Sequence, residues 1–158
     1  KICKNICNQI KKNNIAKIVS LSLLKEEDLI ISDFVIIGAS VRYGKHRKEL
    51  YNIISKYKLI ISERKSAFFS VNVVARKKNK SDVTNNPYLI KFLKLSKWKP
   101  DYIEVFAGKI EYKRYSFIDK NIIKFIMWLT DGPTDINKTY DFTDWNRVNN
   151  FTKKLLEI

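Results

Sequence analysis

The chain has 158 residues, with 31 Lys and Arg against 16 Asp and Glu and a formal net charge of +15. A length of this order holds one domain with one real core, and 45% hydrophobic and 13% aromatic residues exclude a disordered chain. Four Gly and three Pro exclude collagen-like and low-complexity classes, and two cysteines cannot make a disulfide framework.

Lys1 opens straight into a helix over residues 1–10, with Ile2, Ile6, Cys7 and Ile10 at helical spacing. Cys3 and Cys7 lie four apart on it and read as reduced thiols in a cytosolic core rather than as a metal pair, for which no further ligands are at hand. No long apolar core follows the basic start, so no signal peptide is read, and no run approaches the ~20 apolar residues of a membrane span. The sequence is expected to begin in mid-fold or to lack its true N-terminus.

Asn13-Asn14 marks a turn, and residues 17–24 read as a strand on Ile18, Val19, Leu21 and Leu23. Residues 25–28 are an acidic loop or short helical turn. The unbroken apolar run 33–40 suits a central parallel strand covered on both faces. Residues 46–58 form an amphipathic helix on Leu50, Ile53, Ile54 and Tyr57. Residues 66–75 are a second buried strand, 87–98 a helix with Pro87 in its first turn, 102–110 a further strand, and 144–157 a closing helix on Trp145, Val148, Phe151 and Leu155. Strand–helix alternation at this spacing predicts a doubly wound parallel sheet with helices on both faces. In such sheets ligands bind outside the carboxyl ends of the strands, which directs attention to the residues just past Ile37, Val73 and Phe106.

The first of these loops runs Gly38-Ala39-Ser40-Val41-Arg42-Tyr43-Gly44. It offers a tight backbone turn, a hydroxyl, a fixed cation, an aromatic face and a glycine free to take φ > 0. Such a set suits a flat, anionic, redox-active ring, and it equally describes an ordinary strand-to-helix turn with a surface Tyr. The second loop, Asn72-Val73-Val74-Ala75-Arg76-Lys77-Lys78, joins amide groups to three cations, or is a solvated charge run. His46 has no Ser, Asp or metal partner at usable spacing and reads as a surface residue near a helix start. No nucleophile elbow, Walker loop, HExxH or CxxC pairing occurs, which disfavours hydrolases, P-loop enzymes and zinc enzymes; no metal site is expected.

Of the 31 basic residues 25 are Lys and six Arg, and Ile and Asn are abundant too, a combination that AT-rich codons produce. A basic surface still favours anionic lipid or a polycarboxylate substrate. The lysines are spread rather than striped, and with no aromatic-glycine or zinc-finger motif no nucleic-acid partner is expected. The segment 117–129 has nine apolar residues of thirteen, with a narrow polar stripe around Lys120 and Lys124. It reads either as one more core helix or as a lid or membrane-facing element meeting an apolar ligand, with Lys109, Lys113 and Arg114 at its rim.

The runs GASVRYGKHRKEL, SAFFSVNVVARK, KFLKLSKWKPD, AGKIEYKRY, FIMWLTDGPTD and YDFTDW closely resemble the flavodoxin-like, menaquinone-dependent protoporphyrinogen dehydrogenases of bacterial haem synthesis, from Lys17 to the C-terminus. The resemblance implies an α/β, flavodoxin-like doubly wound parallel sheet as a single domain over residues 1–158, with an insertion at about 109–142. It also implies FMN as cofactor, protoporphyrinogen IX as substrate, menaquinone or ubiquinone as acceptor, and peripheral contact with the cytoplasmic face of the inner membrane. By the same likeness Ser40, Val41, Arg42, Tyr43 and Gly44 flank the flavin ring, and Ser70, Val71 and Asn72 form the second flavin-flanking loop. Residues 112–134 fall in the family's insertion. Arg42, Arg76, Lys113 and Arg114 are the candidates for substrate propionates or the flavin phosphate side; no catalytic residue is assigned. The family opens with a strand and a Ser/Thr-rich phosphate loop that this sequence lacks, and in the strand order 2-1-3-4-5 that strand is central. The alternatives are a flavodoxin-type electron carrier without its own substrate, which is usually acidic and lacks such an insert, or a truncated non-functional relative.

Overall fold

The run from Phe34 to Arg42 has too few polar side chains for a strand with one wet face, and in the sheet that it forms Val35 and Ile37 are buried on one face and Phe34 and Ile36 half-buried on the other. In the computed structural model, which describes residues 1–157, this strand, β1 (Phe34–Arg42), pairs in parallel with β3 (Lys65–Val71), and β3 pairs in parallel with β4 (Tyr102–Phe106). A short β2 (Lys45–His46) folds back antiparallel on the end of β1, giving the order β2-β1-β3-β4.

Alternate residues of each strand feed two separate cores. Val35, Ile37, Phe68 and Val105 pack with Leu50 and Ile54 of α3 (Lys48–Lys56), Ile61 of α4 (Lys58–Ser62) and Leu89 and Phe92 of α5 (Pro87–Ser96). On the opposite face Ala67, Phe69 and Phe106 meet Ile2 and Ile6 of α1 (Ile2–Ile10) and Val148, Phe151 and Leu155 of α7 (Trp145–Leu156). Helices on both faces of a parallel sheet are the doubly wound arrangement that the alternation predicted. The N-cap of α5 shows how local chemistry sets an end: Asn86 Oδ1 accepts the Tyr88 and Leu89 N–H groups, with Pro87 in the first turn.

Several boundaries differ from expectation. Residues 17–24 form no strand: they run extended without a ladder and end in a 3-10 turn at Leu21–Leu23, followed by α2 (Glu26–Ile30). The reason is pairing. Among the described residues no strand lies along the outer edge of β1 over 34–40, so the apolar side chains of 17–24 have no ladder to join, and Ile18 and Leu23 are exposed. The helix over 46–58 breaks at Tyr57 into α3 and α4, and the strand over 66–75 ends at Val71, where Asn72 caps a 3-10 turn at Val73–Arg76. The strand over 102–110 is interrupted at Ala107-Gly108; its last part becomes β5 (Lys109–Glu111), which pairs antiparallel with β6 (Thr139–Asp141). Between β5 and β6 stands α6 (Phe117–Leu129). Cys7 is buried as expected, whereas Cys3 is exposed, and both thiols are free.

Gly38 faces Phe69 across the β1–β3 ladder, and a Cβ there would lie 2.1 Å from Phe69 Cζ. The ring is buried and cannot swing into solvent. Gly38→Val should therefore destabilise the fold by about 1–3 kcal/mol, read as a lower urea midpoint with an unchanged slope. An unmoved midpoint would show that the ring yields without cost.

Candidate functional site

The carboxyl ends of β1 and β3 carry the two loops singled out from the sequence. The first is a two-residue hairpin turn: Arg42 pairs with Lys45, and Tyr43 (φ 50°) and Gly44 (φ 73°) both take left-handed conformations. Glycine does so freely, but a tyrosine there is strained unless its surroundings hold it. What holds Tyr43 is a hydrogen bond from its hydroxyl to the Asp119 carboxylate on the first turn of α6. That bond pushes the phenol's pKa up and the carboxyl's down, because it favours protonated Tyr and ionised Asp. The Tyr43 side chain is otherwise open, and Ser40 and Arg42 are exposed beside it.

The second loop is built from buried polar groups. Ser70 and Asn72 are both buried, and Ser70 Oγ lies 3.0 Å from His46 Nε2 and accepts from Asn72 Nδ2 at 3.2 Å. Asn72 Oδ1 accepts the Ala75 N–H at 3.1 Å, and Asn72 and Asn86 exchange amide hydrogen bonds at 3.2 and 3.3 Å. Asn72 thus shapes the loop with a side chain whose hydrogen-bonding capacity is spent inside the protein. His46 corrects the sequence reading. It is 3% exposed rather than on the surface, because the two-residue β2 presses its ring against Phe68 and Phe92. Burial alone pushes its pKa from 6.5 down to about 4, so the imidazole is neutral at ordinary pH.

Arg76 stands apart from the lysines that follow it. Its guanidinium donates to the Thr130 carbonyl at 2.5 Å, to Thr130 Oγ1 at 2.8 Å and to the Val73 carbonyl at 3.3 Å. It also lies 6.0 Å from the Phe142 ring centroid. These bonds use the face of the fork that a propionate would take, and they cap the C-terminal end of α6. Lys113 and Arg114 are exposed on the turn that leads into α6, with Arg114 Nε 3.1 Å from Glu111 Oε2.

The helix α6 is therefore tied at both ends, through Asp119 to the loop after β1 and through Thr130 to the loop after β3. Its inner side rests on a small core of Met127, Ile110 and Tyr112, and the Tyr112 hydroxyl donates to the Pro133 carbonyl at 3.1 Å. Its outer side leaves Phe117, Ile118, Ile122, Phe125, Trp128 and Leu129 exposed. One stripe of the helix is therefore packed on the chain, as the core reading expected, and the other finds no partner among the described residues.

The chain's own groups fit a flavin ring. An aromatic face, the backbone of a left-handed turn, a hydroxyl and an arginine meet at one end of a parallel sheet, beneath an apolar helix. Sequence reasoning missed His46, Asn86, Asp119 and Thr130, whose partners lie far away along the chain; only the Asn86-Pro87 helix-start signal was local.

The chain matches the Flavodoxin domain family over residues 1–137. It is 35% identical over 158 residues to the protoporphyrinogen IX dehydrogenase (quinone) of Escherichia coli (strain K12), covering 99% of this chain and 87% of that protein. The protein of the same name from Leishmania major is 43% identical over 124 residues, which are 77% of this chain and 54% of that protein. No solved structure matches the chain. Likeness over almost the whole chain, on a parallel sheet with helices on both faces, places the protein in the flavodoxin-domain family that includes the quinone-linked protoporphyrinogen IX dehydrogenases.

Proposed function

We propose that the chain is an oxidoreductase that converts protoporphyrinogen IX to protoporphyrin IX with bound FMN and delivers the electrons to a membrane quinone, menaquinone or ubiquinone. The observation that carries this reading is the 35% identity to a dehydrogenase of that name across 99% of the chain. Each oxidation step takes two electrons and two protons from the porphyrinogen, and the same number turns one quinone into its quinol. FMN supplies the two-electron relay between them.

The chain's residues bind, orient and exclude water. The backbone and side chains of Ser40, Val41, Arg42, Tyr43 and Gly44 would hold the flavin ring from the first loop, with Tyr43 as its aromatic neighbour. Ser70, Val71 and Asn72 would hold it from the second, where Asn72 would act through the loop it shapes. Arg42, Lys113 and Arg114 are exposed cations suited to the substrate's propionates. Arg76 anchors the helix above them. With α6 tied to both loops, the substrate's propionates have a basic rim beside the helix. The apolar outer face of α6 meets the surface of an anionic membrane, where the quinone resides. No helix among the described residues is long and apolar enough to cross a membrane.

The direct test mixes the purified chain with FMN, protoporphyrinogen IX and a menaquinone analogue under anaerobic conditions. Protoporphyrin fluorescence should rise only when chain, flavin and quinone are all present. A rise no faster than without the chain overturns the reading.

A further inference from the structure

His46 is the single histidine of the chain, and the reaction proposed above makes no use of it. Its place is nevertheless specific. It follows the Tyr43-Gly44 turn by two residues, so it belongs to the first loop, while its Nε2 reaches Ser70 of the second at 3.0 Å. Ser70 Oγ accepts from Asn72 Nδ2, and Asn72 Oδ1 holds the Ala75 N–H. His46, Ser70, Asn72 and Asn86 are all buried, so none of these bonds can be exchanged for water.

The order of the bonds has a direction. The Asn72 amide offers two nearly identical ends, and rotating it by half a turn would set its NH2 against the Ala75 N–H, donor to donor. The end facing Ser70 is the NH2, which requires Ser70 to present a lone pair. A serine hydroxyl has one hydrogen and two lone pairs, so Ser70 accepts from Asn72 while its 3.0 Å bond to His46 Nε2, as donor or acceptor according to the imidazole tautomer, holds the oxygen in place.

We propose that His46 is a positioning residue: through Ser70 it fixes the orientation of the Asn72 amide, and so the shape of the 72–76 turn that borders the flavin, while joining the two flavin-side loops to each other. The part of this that concerns flavin rests on the functional reading above; the part that concerns the turn does not.

His46→Phe keeps a ring between Phe68 and Phe92 but removes the hydrogen bond, whereas His46→Gln keeps a nitrogen and an oxygen at similar reach. Hydrogen exchange on the chain alone should show the Ala75 amide opening about tenfold faster or more in His46→Phe, while the Phe68 amide of β3 keeps its protection. His46→Gln should restore Ala75 to within about threefold of the native rate. Titration of FMN, followed by quenching of its fluorescence, should give dissociation constants in the same order, highest for His46→Phe. Unchanged Ala75 exchange in His46→Phe, a His46→Gln chain no better than His46→Phe, or one FMN dissociation constant for all three chains would each overturn the proposal. If the native chain fails to quench FMN, the flavin reading fails and with it the flavin part of the proposal, while exchange at Ala75 still decides whether His46 sets the turn.

Discussion

Phe125→Ser together with Trp128→Ser should lower binding to anionic vesicles by tenfold or more and leave the unfolding midpoint nearly unchanged. Both side chains face outward, 57% and 66% exposed, and their rings lie 6.0 Å apart, so they stabilise little within the fold. Burying one large apolar side chain fully is worth about 1.5–3 kcal/mol, and half-depth insertion of two gives a term of roughly that size. Each cation near an anionic surface adds about 1 kcal/mol. Lys113, Lys120 and Lys124 are available for this, since no ion pair among the described residues engages them, whereas Lys109 and Arg114 share Glu111. Raising salt from about 0.1 M toward 1 M shortens the screening length from about 10 Å to about 3 Å and should remove the charge contribution, leaving a weaker apolar attachment. Flotation with neutral and anionic vesicles measures both parts. Equal recovery from the two vesicle types would discard the electrostatic part, and unaltered recovery of the double variant would discard the apolar part.

How much of this could be read beforehand depends on how far each partner lies along the chain. The strands β1 and β3 were legible because covering both faces leaves an unbroken apolar run, a local signature. The extended segment 17–24 carries the same signature, yet it is no strand, because a ladder is a property of two segments and its edge of β1 stands open. In α6 the composition announced a helix too apolar for a free surface. Ile122 and Ile123, however, are alike in sequence, and only Ile110 and Tyr112, brought beneath the helix by β5 and the turn after it, leave Ile123 half-buried against them and Ile122 exposed. Arg76 stood in a run with Lys77 and Lys78 and looked like any of them; the arrival of Thr130, 54 residues on, distinguishes it. The loops at the strand ends were found because the chain direction of a parallel sheet says which ends to examine. The polar network behind them was not, because His46 and Ser70 meet only through the packing of β2 beside the sheet.

The same burial makes His46 the chain's acid-sensitive point. A histidine whose pKa is 6.5 when unfolded and about 4 when folded binds its proton more readily in the unfolded state. Stability therefore rises with pH across the window from about 4 to 6.5 and is flat, as far as this group is concerned, above it. Conversely, acidification from pH 7 to pH 4 should remove up to about 3 kcal/mol through His46, at ~1.36 kcal/mol for each pH unit that separates the two values. Carboxylates contribute a slope of the same sign: Asp28, Asp119 and Asp141 are all held below their usual range, and their share of the loss falls lower, as pH drops through their folded values. The two sources separate by substitution. His46→Phe has nothing to protonate there, so its unfolding free energy should lose less than the native chain's between pH 7 and pH 5, a range in which those carboxylates remain ionised in the folded protein. Urea titrations of both chains at the two pH values give the difference of differences directly, and the absolute cost of the substitution cancels. Identical losses in the two chains would mean that the imidazole takes up its proton in the folded state at the ordinary pH, and that the pocket formed by Phe68, Phe92 and Ser70 tolerates a cation.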